Sequence, residues 1–178
     1  MVNGKAKLLR EDYCDGLGDC LPACPMNAIS FEEREAPAYN EAAVLAAKEN
    51  TSLPVMVTMT FEESGRTFLG CDAAAAAMVL EGVGADAVGI NCSAGPDQLE
   101  SVVASMKAVA TVPVIAKPNA GLPDPADGHY NLTPAAFAEA MAQAVQAGVS
   151  IVGGCCGTDP DYIRALHDRV KGMTPGAR

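Results

Sequence analysis

Three cysteines of this chain have neighbours typical of metal-binding thiols. Cys155 and Cys156 are adjacent and lie in the glycine-rich segment GGCCGT, residues 153–158, directly after an apolar stretch. Cys92 ends a second apolar stretch, residues 86–91. Vicinal cysteines rarely pair with each other, because the eight-membered ring strains the peptide bond. Two thiols at one strand end and a third at another therefore predict a three-thiolate zinc site with a fourth position open for chemistry.

The alternative for these cysteines is that they are small apolar core residues, as free cysteine often is. For Cys92, which follows an apolar run, the metal interpretation and the core interpretation both stay open. For Cys155 and Cys156 the metal interpretation is preferred, because the surrounding glycines provide backbone freedom rather than packing.

The chain from about Tyr39 onward alternates between predicted helices and short apolar strands. The helices are predicted over residues 39–50, 72–82, 97–110, 133–147 and 159–171, and the strands over residues 53–60, 85–91, 112–117 and 149–152. Asp72 and Thr133 are the predicted N-caps of two helices. Continuous apolar strands alternating with helices predict parallel βαβ units, and hence an α/β fold with about four βα units.

The segments that follow the predicted strands carry the residues whose side chains could bind a metal or a substrate. One tail ends in Asn91 and Cys92, another contains the segment KPNAG, residues 117–121, and a third contains the cysteine pair. In parallel α/β folds the C-terminal strand ends form the functional face. The three thiols are therefore expected to converge on one face.

Composition excludes several classes of partner and compartment. The net charge of −10 argues against nucleic acid and against anionic membrane surfaces. No stretch approaches the roughly 20 apolar residues of a membrane span. The N-terminal residues show no apolar segment of the kind found in export signals. We therefore expect a cytoplasmic protein whose seven cysteines are reduced thiols or metal ligands rather than disulfides.

The strand-end segments resemble the homocysteine S-methyltransferase family. The matching segments are GINCS at residues 89–93, KPNAGLP at residues 117–123 and GGCCGT at residues 153–158. The resemblance covers about residues 40–173 and is closest to the homocysteine-binding module of cobalamin-dependent methionine synthases. It implies a (β/α)₈ TIM barrel, of which the four predicted strands match the second half. We therefore expect a partial barrel.

The resemblance also implies roles for individual residues. Cys92, Cys155 and Cys156 would bind zinc, the thiol of homocysteine would take the fourth position, and the resulting thiolate would attack an activated methyl group. Asn91 and Asn119 match positions that line the substrate pocket in the family. The alternative for both asparagines is a turn residue at a strand end.

The resemblance implies partners as well. The family takes its methyl group from methylcobalamin or another methylated compound, and no cobalamin or folate module is visible in this sequence. A methyl donor is therefore expected from another domain or protein, such as a cobalamin-bearing partner. The strands of the first barrel half, whose loops contact the amino-acid part of homocysteine in the family, are missing from the predicted elements.

Residues 1–38 differ from the rest and resemble the second half of a two-cluster bacterial ferredoxin. Cys14, Cys20 and Cys24, the last followed by proline, carry this likeness. A four-iron motif places a fourth ligand at position 17, which is Leu17 here, and the cysteine before proline serves the other cluster. Only Cys14 and Cys20 would then remain for a local iron–sulfur cluster.

Three functional hypotheses follow for a chain divided into residues 1–38 and residues 39–178. The first is a zinc-dependent homocysteine S-methyltransferase domain that activates a thiol for methyl transfer in methionine synthesis. The second is an iron–sulfur electron-transfer protein, and the third is a catalytically inactive zinc-binding fragment. Because a four-strand half-barrel leaves two open sheet edges, we also expect a homo-oligomer.

Overall fold

The computed structural model describes residues 41–93, 95–124 and 126–177. The predicted ferredoxin-like segment, with Cys14, Cys20 and Cys24, lies outside these residues. The described elements are, in chain order, α1 (Glu41–Asn50), β1 (Met56–Met59), α2 (Ala73–Gly82), β2 (Ala87–Cys92), a 3-10 turn (Pro96–Gln98), α3 (Glu100–Lys107), β3 (Val114–Pro118), α4 (Pro134–Gln146), β4 (Ile151–Val152) and α5 (Pro160–Val170).

The four described strands form one parallel sheet in the order β1-β2-β3-β4. Each strand is followed by a helix, so the described part of the chain contains the four predicted βα units. The α/β fold class is thereby confirmed, and consecutive parallel strands in chain order are the arrangement of a partial (β/α)₈ barrel. The central strands β2 and β3 are almost fully buried, whereas β1 is partly exposed.

Prolines and helix ends make several elements shorter than predicted. Pro113 lacks an N–H group, so β3 begins at Val114 rather than at residue 112. The helix predicted from residue 97 begins with the 3-10 turn at Pro96, and α3 follows as a separate short helix. Only two residues of the predicted strand 149–152 belong to β4, because the N–H of Val149 donates to the carbonyl of Ala144 and closes the end of α4.

The predicted N-caps are confirmed. The carboxylate of Asp72 accepts a hydrogen bond from the N–H of Ala75 at 2.8 Å, and the hydroxyl of Thr133 accepts one from the N–H of Ala136 at 3.3 Å. Each side chain satisfies one of the N–H groups that a helix start leaves without a partner. Both helices therefore begin where the sequence predicts.

Aliphatic side chains dominate the core, in keeping with an aromatic content of 4%. Leu80, Ile90, Met106 and Met141 are all almost completely buried. The rings of Phe137 and Tyr162 meet edge to face, with centroids 5.6 Å apart, and fasten α4 to α5. None of the described helices is long and apolar enough to cross a membrane.

Candidate metal centre

The three predicted cysteines come together at the carboxyl ends of the strands. Cys92 is the last residue of β2, and Cys155 and Cys156 lie in the turn after β4. The Sγ atoms of Cys92 and Cys155 are 2.7 Å apart, and those of Cys155 and Cys156 are 3.9 Å apart. All three sulfurs lie within 4.8 Å of one another. We call this group the thiol cluster, and the described residues contain no other group of three such ligands.

An unusual backbone conformation directs Cys92 into the cluster. Cys92 and Ser93 both have positive φ angles, 52° and 63°, a region that residues other than glycine rarely adopt. The turn is held by Ser93, whose hydroxyl accepts a hydrogen bond from the N–H of Phe61 at 2.9 Å. Such conformations persist only where the surroundings determine them, and they concentrate at functional sites.

The turn that carries the cysteine pair is fastened to the tail of β3. The N–H of Cys155 donates to the carbonyl of Pro118 at 2.8 Å, and the carbonyl of Cys156 accepts from the N–H of Ala120 at 2.9 Å. Within the turn, the hydroxyl of Thr158 donates to the carbonyl of Cys155 at 2.7 Å. The two thiols are therefore held by backbone bonds to a neighbouring strand and not by the glycine-rich turn alone.

Gly157 closes the turn against the loop between β3 and α4. Its φ is +75°, and a Cβ atom there would lie 2.2 Å from the ring of Tyr130. Both the positive φ and the close ring require glycine at this position. The glycine-rich segment thus has a packing role in addition to backbone freedom.

Asn119 joins the two strand ends that carry the thiols. Its side chain is 3% exposed, its Nδ2 donates to the carbonyl of Ser93 at 3.1 Å, and its Oδ1 accepts from the N–H of Cys156 at 3.0 Å. The amide therefore spans from the residue after Cys92 to Cys156. This position fits a residue that fixes the spacing of the cluster.

Asn91 contacts the cluster from β2. Its Nδ2 lies 3.3 Å from the sulfur of Cys92 and 3.5 Å from the hydroxyl of Thr60. The side chain is only half-buried. Its amide therefore lies between the Cys92 thiol and Thr60 at the tail of β1.

Burial raises the pKa of the Cys92 thiol, and the hydrogen bond with Cys155 raises it further. The amide of Asn91 acts in the opposite direction, because a donor favours the thiolate. Burial outweighs this donor, so Cys92 is a neutral thiol at neutral pH in the metal-free protein. A cation at the cluster would reverse this balance, because it stabilises the thiolate directly.

Two supporting residues were missed by the sequence analysis. Ser93 and Thr158 hold the backbone on either side of the thiols, and both stand in the segments GINCS and GGCCGT. A serine or threonine one to three positions after a cysteine in a turn could have indicated these hydrogen bonds between hydroxyl and backbone. Cys71, in contrast, lies in the loop before α2 and is not part of the cluster.

Comparison with known proteins agrees with this architecture. The sequence profile of the homocysteine S-methyltransferase family matches residues 24–170. A methionine synthase of Mycobacterium leprae (strain TN) is 39% identical over 127 residues, which is 70% of this chain and 10% of that protein. The methionine synthase of Mycobacterium tuberculosis (strain ATCC 25618 / H37Rv) is 38% identical over 117 residues, which is 64% of this chain and 10% of that protein. This chain thus spans about a tenth of the length of the curated relatives it matches.

Solved structures show the same fold. The homocysteine methyltransferase MmuM from Escherichia coli superposes with a TM-score of 0.59 in its oxidized form and 0.58 in its metallated form, at 23% identity. The superposed part is 72% of this chain and 40% of either MmuM chain. At 23% identity this similarity shows a shared fold and no more, and the shared part agrees with a partial barrel. The family profile covers most of the chain, and the chain belongs to the homocysteine S-methyltransferase family.

Proposed function

We propose that this chain binds zinc through Cys92, Cys155 and Cys156 and uses it to activate the thiol of homocysteine for methyl transfer. The observation that carries the proposal is the convergence of three thiol sulfurs within 4.8 Å at the carboxyl ends of β2 and β4. Catalytic zinc sites have three protein ligands and leave the fourth coordination position for water or substrate, and three thiols could supply such a set. The family membership supplies the reaction type and the substrate.

The donor set fits zinc in type, and one of its two adjacent sulfur–sulfur distances already fits. Zinc–sulfur bonds of ~2.3 Å in a tetrahedral site place the sulfurs about 3.8 Å apart. The 3.9 Å between the Cys155 and Cys156 sulfurs matches this distance. The Cys92 and Cys155 sulfurs, at 2.7 Å, would have to separate by about 1 Å, which is within reach of a side-chain rotation.

Each residue of the site has a defined part in the proposal. When bound, zinc would hold the substrate thiol as a thiolate at neutral pH, the form that attacks a methyl group. The three cysteines hold the ion, Asn119 and Thr158 fix the two segments that carry them, and Asn91 contacts the substrate beside Cys92. No protein base is needed, because the thiol would release its proton to water when it binds the metal. In the transfer itself, a sulfur–methyl bond would form as the bond between the methyl group and its carrier breaks, and the carrier would keep the electron pair of that bond.

The methyl group would come from a partner. We infer a methylcobalamin-bearing domain or protein, as the family resemblance implies, that approaches the carboxyl ends of the strands. The thiols must be reduced to bind metal, so we place the protein in the cytoplasm. No nucleic acid or membrane partner is proposed, since the net charge is −10.

Zinc stoichiometry in cysteine variants tests the proposal. The zinc affinity of Cys92→Ala, Cys155→Ala and Cys156→Ala should fall by more than about a hundredfold, because the loss of a supporting hydrogen bond alone costs about ten- to a hundredfold. Cys71→Ala is the matched control and should bind like the unsubstituted chain. Metal analysis by mass spectrometry and chelator competition provide the measurement.

The same samples separate the alternative functions. Iron and inorganic sulfide that depend on Cys14, Cys20 and Cys24 would favour the electron-transfer hypothesis. Zinc without homocysteine binding would favour the inactive fragment. Full zinc retention in the double variant Cys155→Ala/Cys156→Ala would refute the assignment of the site.

A further inference from the structure

The aromatic ring of Tyr130 lies against the turn that carries the cysteine pair. Tyr130 belongs to the loop between β3 and α4, and Gly157 directly follows Cys156. A Cβ atom at Gly157 would overlap the Cγ of Tyr130 and would lie 2.5 Å from its Cδ2 and 2.7 Å from its Cδ1. The ring therefore covers Gly157 and leaves no room for another atom. The backbone that follows Cys156 cannot move towards the loop without displacing this ring.

The fold of the loop turns Tyr130 away from solvent. Residues 126–129 are exposed, whereas Tyr130 is half-buried. An antiparallel bridge joins Tyr130 to Pro123, and the N–H of Asp124 donates to the carbonyl of His129 at 2.8 Å. The backbone of Tyr130 is therefore held by pairing across the loop, and its ring is directed to the cysteine turn.

The two ends of the loop are bonded to the cysteine turn and to α5. The N–H of Ala120 donates to the carbonyl of Cys156 at 2.9 Å, and the carbonyl of Ala120 accepts from the N–H of Leu132 at 3.2 Å. The hydroxyl of Tyr162 in α5 donates to the carbonyl of Leu132. The ring of Tyr130 thus belongs to a loop that is anchored at both ends.

This contact bears on metal retention, because the cysteine pair is not deeply buried. Cys155 and Cys156 are half-buried, and Gly157 is exposed. An ion held by such thiols leaves when one thiol swings away and water or a competing ligand takes its place. Groups around the ligands of a metal fix their orientation, and the apolar groups among them limit the access of solvent. The ring of Tyr130 is placed to do both beside Cys156.

We propose that Tyr130 is a positioning residue of the metal centre, whose ring holds the cysteine turn in place and thereby slows the release of zinc. The inference rests on the proposed function and deepens it by assigning retention of the metal to a residue that is not a ligand. Tyr130 takes no part in ligation or in methyl transfer. The ring and not the hydroxyl carries the effect, because ring atoms are the ones that contact Gly157.

The rate of zinc release from the zinc-loaded full chain tests the inference. The chain is mixed with an excess of a chromogenic chelator, and the rate that no longer depends on chelator concentration reports dissociation of the metal. Tyr130→Ala removes the ring, whereas Tyr130→Phe keeps it. His129→Ala is the matched control in the same loop, because His129 is exposed.

A second control separates the contact at the turn from a general loss of stability. Met106 is fully buried near the end of α3, where the chain turns back towards β3 at the edge of the sheet opposite the thiols. Met106→Ala leaves a cavity in the core and should lower the melting temperature of the metal-free chain. It leaves the cysteine turn and the ring of Tyr130 in place.

We expect Tyr130→Ala to release zinc about ten- to a hundredfold faster than the unsubstituted chain, the range in which the loss of a group supporting the ligands weakens a metal site. The release rates of Tyr130→Phe, His129→Ala and Met106→Ala should each stay within about twofold, because these changes leave the ring contact intact. Tyr130→Leu replaces Tyr130→Ala in the comparison if the alanine variant does not fold.

Three results would overturn the inference while leaving the proposed function intact. An unchanged release rate in Tyr130→Ala would show that the ring does not restrain the turn. Equal acceleration in Met106→Ala would assign the effect to general stability, and equal acceleration in Tyr130→Phe would assign it to the hydroxyl. If the unsubstituted chain binds no zinc, the proposed function itself fails, and the inference fails with it.

Discussion

Cys92 illustrates how a single residue combines strain, burial and reactivity. Its positive φ is unfavourable for an L-residue by about 1–2 kcal/mol, and the bonds around Ser93 and Asn119 offset this cost. The conformation places the thiol next to Cys155 and in a buried position where its pKa is raised. In the metal-free protein the Cys92 sulfur therefore carries a proton, which a metal ion has to displace in order to bind.

The first prediction at this scale concerns pH. Because the folded Cys92 thiol titrates above its ordinary value, it is protonated across the range from pH 5 to pH 8 and must release its proton when zinc binds. The apparent zinc affinity should therefore rise by at least about tenfold per pH unit across this range. Chelator competition at a series of pH values measures the slope.

The expected sign follows from competition for the thiol sulfurs, and the raised pKa of Cys92 extends this competition across the whole range. Protons compete with zinc for the thiols, so lowering the pH weakens binding and raising it strengthens binding. A zinc affinity that is independent of pH between pH 5 and pH 8 would contradict thiolate ligation and point to carboxylate or carbonyl ligands.

At the scale of elements, the close approach of β2 and β3 places Cys92 beside the strand end to which the backbone of Cys155 is bonded. Gly89 lies in register with Ile115, and a Cβ atom at Gly89 would lie 2.1 Å from the Ile115 carbonyl oxygen. The glycine permits an approach that no other residue would allow. The same pair of strands positions Cys92 beside Pro118, whose carbonyl holds Cys155.

Gly89→Ala should therefore destabilise the sheet and loosen the cluster together. We expect a loss of about 1–3 kcal/mol in the free energy of unfolding, the usual cost of overpacking, and a weaker zinc affinity. Urea unfolding of the metal-free protein and chelator competition measure the two effects.

Gly82→Ala is the matched control for this prediction. Gly82 is the last residue of α2, and a Cβ atom there has no neighbour within 4 Å. Alanine at this position should be neutral or stabilise the protein by up to about 1 kcal/mol. Equal stability of Gly89→Ala and the unsubstituted chain would contradict the close-approach argument.

At the scale of the whole molecule, the open edges of the sheet predict association. Among the described residues, no further strand pairs with the outer edge of β1 or of β4. Leu53 and Met56, at the β1 edge, are 69% and 59% exposed. Unpaired edges with exposed apolar residues favour pairing with another chain. Two copies that pair β1 with β4 in both directions would form a symmetric eight-stranded ring.

We therefore expect the full chain to sediment as a dimer. Met56→Lys places a charge at the β1 edge and should shift the equilibrium towards monomer, because edge lysines oppose strand pairing. Phe68→Lys is the control, since Phe68 is 83% exposed but lies in the loop between β1 and α2 and not in a strand. Sedimentation velocity measures both variants.

A version that begins at Tyr39 separates two explanations of a monomeric full chain. Association of the shorter version alone would mean that the residues before Tyr39 prevent pairing of copies. Compact monomers with cooperative melts for both versions would show that the four-strand unit is stable alone, and the half-barrel argument would be wrong.

The sequence by itself determined which residues stand at strand ends. The alternation of apolar strands and helices predicted the four βα units, and the caps Asp72 and Thr133 stand where local hydrogen bonding requires them. These features depend on residues within a few positions of one another, and so they can be predicted from the amino-acid sequence. Parallel strand topology then predicted that Cys92 and the cysteine pair share one face.

Only the tertiary structure decided how closely these residues meet. Cys92 and Cys155 are 63 positions apart in sequence, and their 2.7 Å contact depends on the strand register, the turn at Cys92 and the bridge through Asn119. The contact of the Tyr130 ring with Gly157 likewise joins segments that are distant in sequence and follows from no local pattern. Periodicity within one strand indicates which side chains face the core, but the register between two strands also depends on the turns and on the packing of segments that are distant in sequence.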